Sequence, residues 1–335
     1  MKAHFCIDSN FRFMLLRSCR ICNARDNHDT YFPKEMMHGL MEEFTYFQCK
    51  SCHCLQIETI PANLHKYYQE GYYSFSQHTK GQHKGAKGWV NKRAVLHSIF
   101  KDNLVNRLIS FLSPQGKYRI FDRLGVNRES NILDVGCGNG RKFLYPLAEI
   151  GFKNLLGCDP FLNEPIAYEN GLNILKNDIF SVVGKWDIIT FHHSFEHVTN
   201  PKETLEKVRE LLSPNGICII RVPTVSSYAW EKYNTNWVQL DAPRHIFIHS
   251  TQSIAQLAAS IGLQLFNTVF DSTHFQFAGS EKYLRGIPLR TEEKRSLFGY
   301  MRYKRKKLYW MKLAKKLNEE GKGDQAVFYF RKEAA

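Results

Sequence analysis

The segment Ile132-Leu133-Asp134-Val135-Gly136-Cys137-Gly138-Asn139-Gly140 constrains this chain more than any other. An apolar run carrying one acid meets three glycines spaced G-x-G-x-G, and a helix-like segment follows from Arg141 to Ile150. That order predicts a strand, a tight turn and a helix start, the layout of a nucleotide-binding crevice in an open α/β sheet. Glycine reaches backbone angles that other residues avoid and lets a ligand approach the main chain. A helix N-terminus adds free N–H groups. The spacing argues against a dinucleotide, because the G-x-G-x-x-G fingerprint places its third glycine one residue later. Asp134 at the mouth of the crevice would repel a pyrophosphate and attract a cationic ligand.

Further strands follow at the intervals of a doubly wound sheet. Leu155 to Pro160 reads as a short buried strand ending in Asp159, an acid placed beside the glycine turn where it can hold ribose hydroxyls. Ile174 to Ile179 ends a third strand, with Asp178 placed to meet a base edge. Trp186–Phe191 is a fourth, and Leu211 to Gly216 is a turn into a fifth, Ile217 to Val222. Repeated strand–helix alternation predicts a parallel sheet.

The first sixty residues carry a separate signal. Cys19-x-x-Cys22 and Cys49-x-x-Cys52 are two knuckles separated by 26 residues. Four thiolates on two short turns suit tetrahedral, structural zinc. A segment this small lacks the core to fold alone, so the metal would supply stability. Arg20 and Lys50 would offset thiolate charge, and His53 or Cys54 is an alternative ligand. Paired disulfides are the rival reading; a cytosolic setting, expected because no signal-peptide pattern opens the chain, favours metal. Cys6, Cys137, Cys158 and Cys218 read as small buried hydrophobes or loop residues.

Charge is unevenly placed. The formal net charge is +14, and Glu281–Ala335 holds 16 Lys/Arg against 7 Asp/Glu. Arg302-Tyr303-Lys304-Arg305-Lys306-Lys307 is the centre, with Leu308, Tyr309, Trp310 and Met311 beside it. Such a helix fits a solvated face, an anionic membrane surface met through residues 281–316, or, less readily, nucleic acid. No apolar run approaches the ~20 residues of a membrane helix. The expectation is a cytoplasmic enzyme, held peripherally at the inner face of the membrane if that basic face meets lipid.

Taken in order, LDVGCGNG, GCDP, NDIF, WDIITFHHSFEHV and LLSPNG resemble the class I S-adenosylmethionine-dependent methyltransferases. The resemblance implies a Rossmann-like α/β fold: a seven-stranded sheet, mostly parallel, whose last strand (near Gly323–Lys332) runs antiparallel beside a sixth strand, Leu263–Phe270. It implies that Gly136, Gly138 and Gly140 shape the pocket for the methionine part of S-adenosylmethionine, that Asp134 faces its amino group, that Asp159 binds the ribose and that Asp178 sits near the adenine. Domain boundaries follow: a zinc ribbon over 1–60, a connector over 61–128 with a helix from Lys92 to Phe111, and the methyltransferase domain over 129–335 with a basic helical insertion at 273–324. The connector holds the aromatic-rich run Tyr67–Phe75 and a Gly/Lys/His stretch at 80–88.

A zinc ribbon ahead of this domain resembles a subgroup acting on nucleotide sugars and bacterial surface polysaccharides, sugar C-methyltransferases among them. That subgroup implies a sugar or polysaccharide-precursor acceptor, methylated at oxygen or carbon, and makes nucleic acid an unlikely partner. Either acceptor must lose a proton, which asks for a general base. The family frequently carries an EH pair after strand four, here Glu196-His197. The segment Leu240-Asp241-Ala242-Pro243-Arg244-His245 recurs in the subgroup. His197, His245 and Glu196 are therefore the catalytic candidates, with Trp237 as a stacking wall and Arg244 on an acceptor phosphate or carboxylate. Some relatives bind a divalent ion in this region, and His193, Glu196 and His197 have the spacing of a helical face. The competing readings are a nucleic-acid methyltransferase and a non-catalytic zinc-bearing interaction module.

Overall fold

A computed structural model describes residues 16–68, 85–101, 103–112 and 116–333. Residues 69–84, which take in most of the aromatic run and half of the Gly/Lys/His stretch, lie outside the described residues, as does Cys6.

The ribbon comes first: β1 (Arg17–Ser18), β2 (Arg25–Asp26), β3 (Asp29–Tyr31), β4 (Tyr46–Gln48) and β5 (Leu55–Ile57). The connector then forms two helices, α1 (Gly85–Phe100) and α2 (Leu104–Leu112), where a single one is expected. The break falls at Lys101, whose φ of 49° is left-handed and stops an α-helix.

The α/β part follows as β6 (Ile132–Val135), α3 (Leu144–Glu149), β7 (Leu155–Cys158), β8 (Ile166–Ala167), β9 (Asn173–Leu175), β10 (Trp186–His192), α4 (Pro201–Leu211), β11 (Leu212–Pro223), α5 (Tyr228–Tyr233), β12 (Phe247–Ile248), α6 (Thr251–Ala259), β13 (Leu263–Phe270), α7 (Phe275–Tyr283), α8 (Leu297–Glu319) and β14 (Gln325–Lys332). One sheet runs β13-β14-β11-β10-β6-β7-β9-β8. Strands β11, β10, β6, β7 and β9 are parallel to one another. β14 lies antiparallel between β11 and β13, so the sixth strand of the expected order is the edge. An eighth strand, the two-residue β8, closes the other edge antiparallel to β9.

Both faces of the sheet are covered, which is why its central strands are apolar without alternation. Successive residues still point to opposite sides. Leu133, Ile189, Ile220 and Phe328 join one core, where Leu205 and Val208 of α4 and Leu257 of α6 pack. Their neighbours Ile132, Ile188, Ile219 and Val327 join the other, with Leu144 of α3 and Val95 of α1.

A second, four-stranded sheet runs β12-β5-β4-β3. β12 comes from the α/β part, and its Phe247 and Ile248 pair with Gln56 and Leu55 of the ribbon. The ribbon is thus woven onto the segment following Asp241. No helix among the described residues is long and apolar enough to cross a membrane.

Candidate active site

The turn after β6 holds Gly136 and Gly140 at φ values of 70° and 68°. A Cβ on Gly136 would lie 2.4 Å from Ser194 Cβ, and one on Gly140 would lie 2.5 Å from Ile174 Cδ1. Backbone angle favours glycine at both, and at Gly136 space demands it as well, because Ser194 Cβ is fixed to the main chain whereas the Ile174 methyl can shift. The Gly138 N–H donates to Asp159 Oδ2 at 2.8 Å, and the Phe161 N–H donates to Asp159 Oδ1 at 2.9 Å. Asp159 thus ties the end of β7 to the glycine turn. Burial raises its pKa, and these two bonds oppose the rise.

Beside this turn lies a cavity of about 360 Å³, walled by Gly136, Asp159, Phe161, Asp178, Phe180 and His197 among others. Asp178 is exposed, and its side chain accepts from the Phe180 N–H at 3.1 Å. Phe161 and Phe180 keep 62% and 48% of their surface exposed although they are large and apolar. Exposed aromatics on a cavity rim offer a slot for a flat ring. Neither was singled out in the sequence; each follows a strand-end acid by two residues, and that offset was the available signal. Tyr68 stacks on Phe161 at 5.7 Å, and its hydroxyl lies 3.1 Å from His197 Nδ1.

These residues fit S-adenosylmethionine: turn glycines at left-handed backbone angles, acids at two strand ends, and a volume in the range of small-molecule pockets. Gly138 and Gly140 shape the turn without standing on the described cavity wall. Asp134 departs from its expected position facing the cavity. Its carboxylate is buried and accepts from Thr190 Oγ1 at 2.7 Å, and burial lifts its pKa to about 7.

A second cavity, of about 370 Å³, adjoins the first, and His193 and His197 line both. Met37, Glu196, Gln239, Asp241, His245 and Phe275 contribute to its wall. Glu196 is 1% exposed, and neither of its carboxylate oxygens has a hydrogen-bond partner. His193 Nδ1 lies 3.5 Å from Glu196 Oε1, outside hydrogen-bond geometry, and His245 Nε2 lies 3.8 Å from it. Burial pushes the Glu196 pKa up, but His193, His197 and His245 around it bring it down to about 2.

The histidine tautomers follow from their partners. Arg221 Nη1, which can only donate, is 2.7 Å from His193 Nε2, so the His193 proton sits on Nδ1 and faces Glu196. His245 Nδ1 is 2.8 Å from the Gln239 carbonyl, and His197 Nδ1 is 2.8 Å from the Arg244 carbonyl. A carbonyl only accepts, so both rings carry a proton on Nδ1, and the neutral form of each has its lone pair on Nε2. Burial, with the charge of His197, lowers the His245 pKa to about 4, which leaves that ring neutral. Glu196, His197 and His245 each offer one ligand atom, all within 4.8 Å of one another.

Two expected substrate contacts are corrected. Arg244 is fully buried and points away from solvent into the body of the protein. It donates to Asp241 Oδ2 at 2.9 Å and Oδ1 at 2.5 Å, to Glu35 Oε1 at 2.8 Å and to the Tyr67 carbonyl at 3.0 Å. It does not line the cavity, and four of its five N–H donors are held within the protein; the residue rivets the His245 loop to the ribbon. Trp237 is also fully buried, and its indole N–H donates to Asp324 Oδ2 at 3.0 Å, so it cannot be a stacking wall. The ribbon grips this loop elsewhere too, through Tyr46 Oη to the His245 carbonyl at 2.7 Å and Ser250 Oγ to the Cys52 carbonyl at 2.6 Å.

The sulfurs of Cys19, Cys22, Cys49 and Cys52 lie within 4.8 Å of one another. The Cys19–Cys52 and Cys22–Cys49 separations are both 3.6 Å. A zinc tetrahedron with bonds of about 2.3 Å has edges of about 3.8 Å, so the set fits without rearrangement. A hydrogen bond from Cys52, with help from Ile21 N–H and Gln56 Nε2, draws the Cys19 thiol down and pushes that of Cys52 up, so without an ion the two sulfurs share one proton. Cys54 and His53 lie outside this group of mutually close ligand atoms, so neither joins the set. Arg20 stacks over Phe247 at 4.7 Å and donates to Gln56 and to the Ile57 carbonyl.

The methyltransferase domain family matches residues 100–267, half of the chain. A ubiquinone biosynthesis O-methyltransferase of Cereibacter sphaeroides (strain ATCC 17025 / ATH 2.4.3) is 28% identical over 125 residues, 34% of this chain and 50% of that protein. The chain therefore spans half the length of the curated relative it matches. Among solved structures, the cyclopropane synthase MmaA2 from Mycobacterium tuberculosis is 15% identical with a TM-score of 0.38, over 62% of this chain and 79% of that one. The O-methyltransferase of a Brevibacillus brevis trans-AT PKS multienzyme, solved with S-adenosyl-L-homocysteine, is 15% identical with a TM-score of 0.37, over 73% and 72%. With the family's domain spanning half its length, and its glycine turn opening on a cavity edged by two strand-end acids, the chain belongs to the class I S-adenosylmethionine-dependent methyltransferases.

Proposed function

We propose that this chain transfers the methyl group of S-adenosylmethionine to a sugar of a surface polysaccharide or of its nucleotide- or lipid-linked precursor. The observation that carries this reading is the shared wall of the two cavities. One fits the cofactor, the other sets polar groups into a wall whose open surface is mostly apolar, and His193 and His197 belong to both. Apolar faces from Met37, Val238, Phe275 and Leu289, set against Glu196, Gln239, Asp241 and His245, suit a sugar ring, which presents C–H faces and hydroxyl edges.

When bound, the cofactor supplies an activated methyl group on a sulfonium, so the protein's task is alignment and proton removal. His197 is the base. Its Nδ1–H is held by the Arg244 carbonyl, which leaves Nε2 as the atom that can take a proton, and the residue lines both cavities. Buried Glu196 is negatively charged and lies among the imidazoles, so it stabilises the imidazolium formed when His197 takes the acceptor proton. His245, neutral and anchored through Gln239, accepts a hydrogen bond from a neighbouring hydroxyl. Cys19, Cys22, Cys49 and Cys52 hold a structural zinc, whose role is to keep the ribbon clamped on the loop that carries His245.

The test is transfer of labelled methyl groups to cell-envelope saccharide extracts and to total RNA. Label in saccharide, with kcat reduced about 10²–10⁴-fold in His197→Gln and cofactor affinity retained, supports the reading. Label in RNA alone, or full turnover by His197→Gln, refutes it.

A further inference from the structure

The basic insertion is more than a charged surface. A third cavity, of about 710 Å³, lies between α7 and α8 and the loop that joins them. Phe275 and Leu289 line both this cleft and the cavity holding His197 and His245. The three cavities therefore form a series: the cofactor cavity meets the acceptor cavity at His193 and His197, and the acceptor cavity meets the cleft at Phe275 and Leu289.

The charge of the cleft is built rather than scattered. Its wall carries Lys282, Arg285, Arg295, Arg302 and Lys306 against Glu281 and Glu293. Glu293 pins two guanidiniums at once, taking Arg285 Nη1 at 2.6 Å and Arg295 Nη2 at 2.8 Å. Each guanidinium has five N–H donors, so each keeps spare donors beyond this shared carboxylate. Lys306 lies 3.1 Å from Glu281 and over the Trp310 ring, while Arg302 has no ion-pair or hydrogen-bond partner among the described residues. The 23-residue helix α8 also starts on this wall at Gly299, whose N–H is capped by Ser296 Oγ at 3.2 Å, so the helix start adds its dipole and not that donor. Convergent guanidiniums, an unpaired arginine and a helix start are the groups that recognise phosphate.

We infer that the cleft between α7 and α8 is the subsite for a diphosphate carried by the methyl acceptor, with the sugar reaching through the Phe275–Leu289 junction to His197. This rests on the methyl-transfer reading above and narrows it: the acceptor is a sugar diphosphate conjugate, not a free sugar or a finished neutral polymer.

Three probes test it by calorimetry on the full chain: inorganic pyrophosphate, a nucleoside diphosphate, and a prenyl diphosphate in neutral-lipid vesicles. The expected result is saturable binding of pyrophosphate, weakened at least tenfold in Arg302→Glu and unchanged in Lys312→Glu. Lys312 is exposed on the same helix but does not line the cleft, so it reports general electrostatics. S-adenosylmethionine affinity stays the same in both variants, which separates failure of the subsite from failure of the methyltransferase reading. Tighter binding of the nucleoside diphosphate than of pyrophosphate identifies a nucleotide-linked acceptor, and tighter binding of the prenyl diphosphate a lipid-linked one. Absence of binding by all three, equal losses in the two variants, or equal binding to anionic vesicles that lack a diphosphate lipid would overturn the inference.

Discussion

Arg244 decides whether the loop carrying His245 is a substrate contact or a structural rivet. Replacing it with methionine keeps much of the side-chain bulk but leaves Glu35, fully buried, and Asp241, 8% exposed, without their cation. Four donated hydrogen bonds go with it. Bonds to charged groups are worth about 1.5–3 kcal/mol each, but members of one network do not add. The better guide is the cost of breaking a buried ion pair from one side, about 3–5 kcal/mol. With a urea dependence of about 3 kcal/mol per molar, that is a drop of about 1–1.7 M in the unfolding midpoint. Adding Glu35→Gln and Asp241→Asn removes the orphaned charges and should recover about half of the loss. The assay is urea unfolding followed by far-ultraviolet circular dichroism, alongside acceptor kinetics. An unchanged midpoint in Arg244→Met, combined with a raised acceptor KM, would refute the structural reading and return Arg244 to the substrate.

Gly136→Ala would place a Cβ 2.4 Å from Ser194 Cβ at a φ of 70°, so cofactor affinity should fall at least tenfold; calorimetric titration reads this, and a wild-type Kd contradicts the turn geometry. Asp134 predicts a pH dependence. Its folded pKa, raised by burial to about 7, exceeds its unfolded value, so the native state binds more protons between them. Stability is highest at the acid end of that window and falls as pH rises from about 4 to about 7, by about 4 kcal/mol for a three-unit shift. Asp134→Asn keeps an acceptor for Thr190 and removes this slope; parallel unfolding curves for the two proteins across that range would sink the assignment. Cys49→Ser should lower zinc content by one equivalent and raise protease sensitivity around residues 241–250, because the ribbon clamps that loop; intact zinc binding would reject the four-cysteine site.

The parts of the fold that were legible in the sequence are those set by local patterns. Ile132–Gly140 reads as strand and turn because a strand buried on both faces must be apolar throughout, and because the turn favours glycine at Gly136 and Gly140. The two CxxC knuckles read correctly as one cluster because their spacing is itself the signal. What was not legible depends on distant partners. Arg244 looked available for a ligand because its partner Glu35 is 209 residues away, and Trp237 looked like a wall because Asp324 is 87 residues away. Asp134 seemed to face the ligand because its sequence position fixes the strand end but not the direction in which Thr190 draws its carboxylate. The basic run at 302–307 was visible as charge, while its place on a cleft joined to the acceptor cavity emerges only when α7 and α8 are laid side by side.

The central claim is that the cavity beside the glycine turn holds S-adenosylmethionine through the end of β7. Calorimetric titration with S-adenosylmethionine, S-adenosylhomocysteine and NAD, on the wild-type chain and on Asp159→Ala, tests it most directly. The account predicts binding of the first two, no binding of NAD, and at least a tenfold loss of affinity in the variant. Binding of NAD, or of neither methyl-cofactor form, would contradict it.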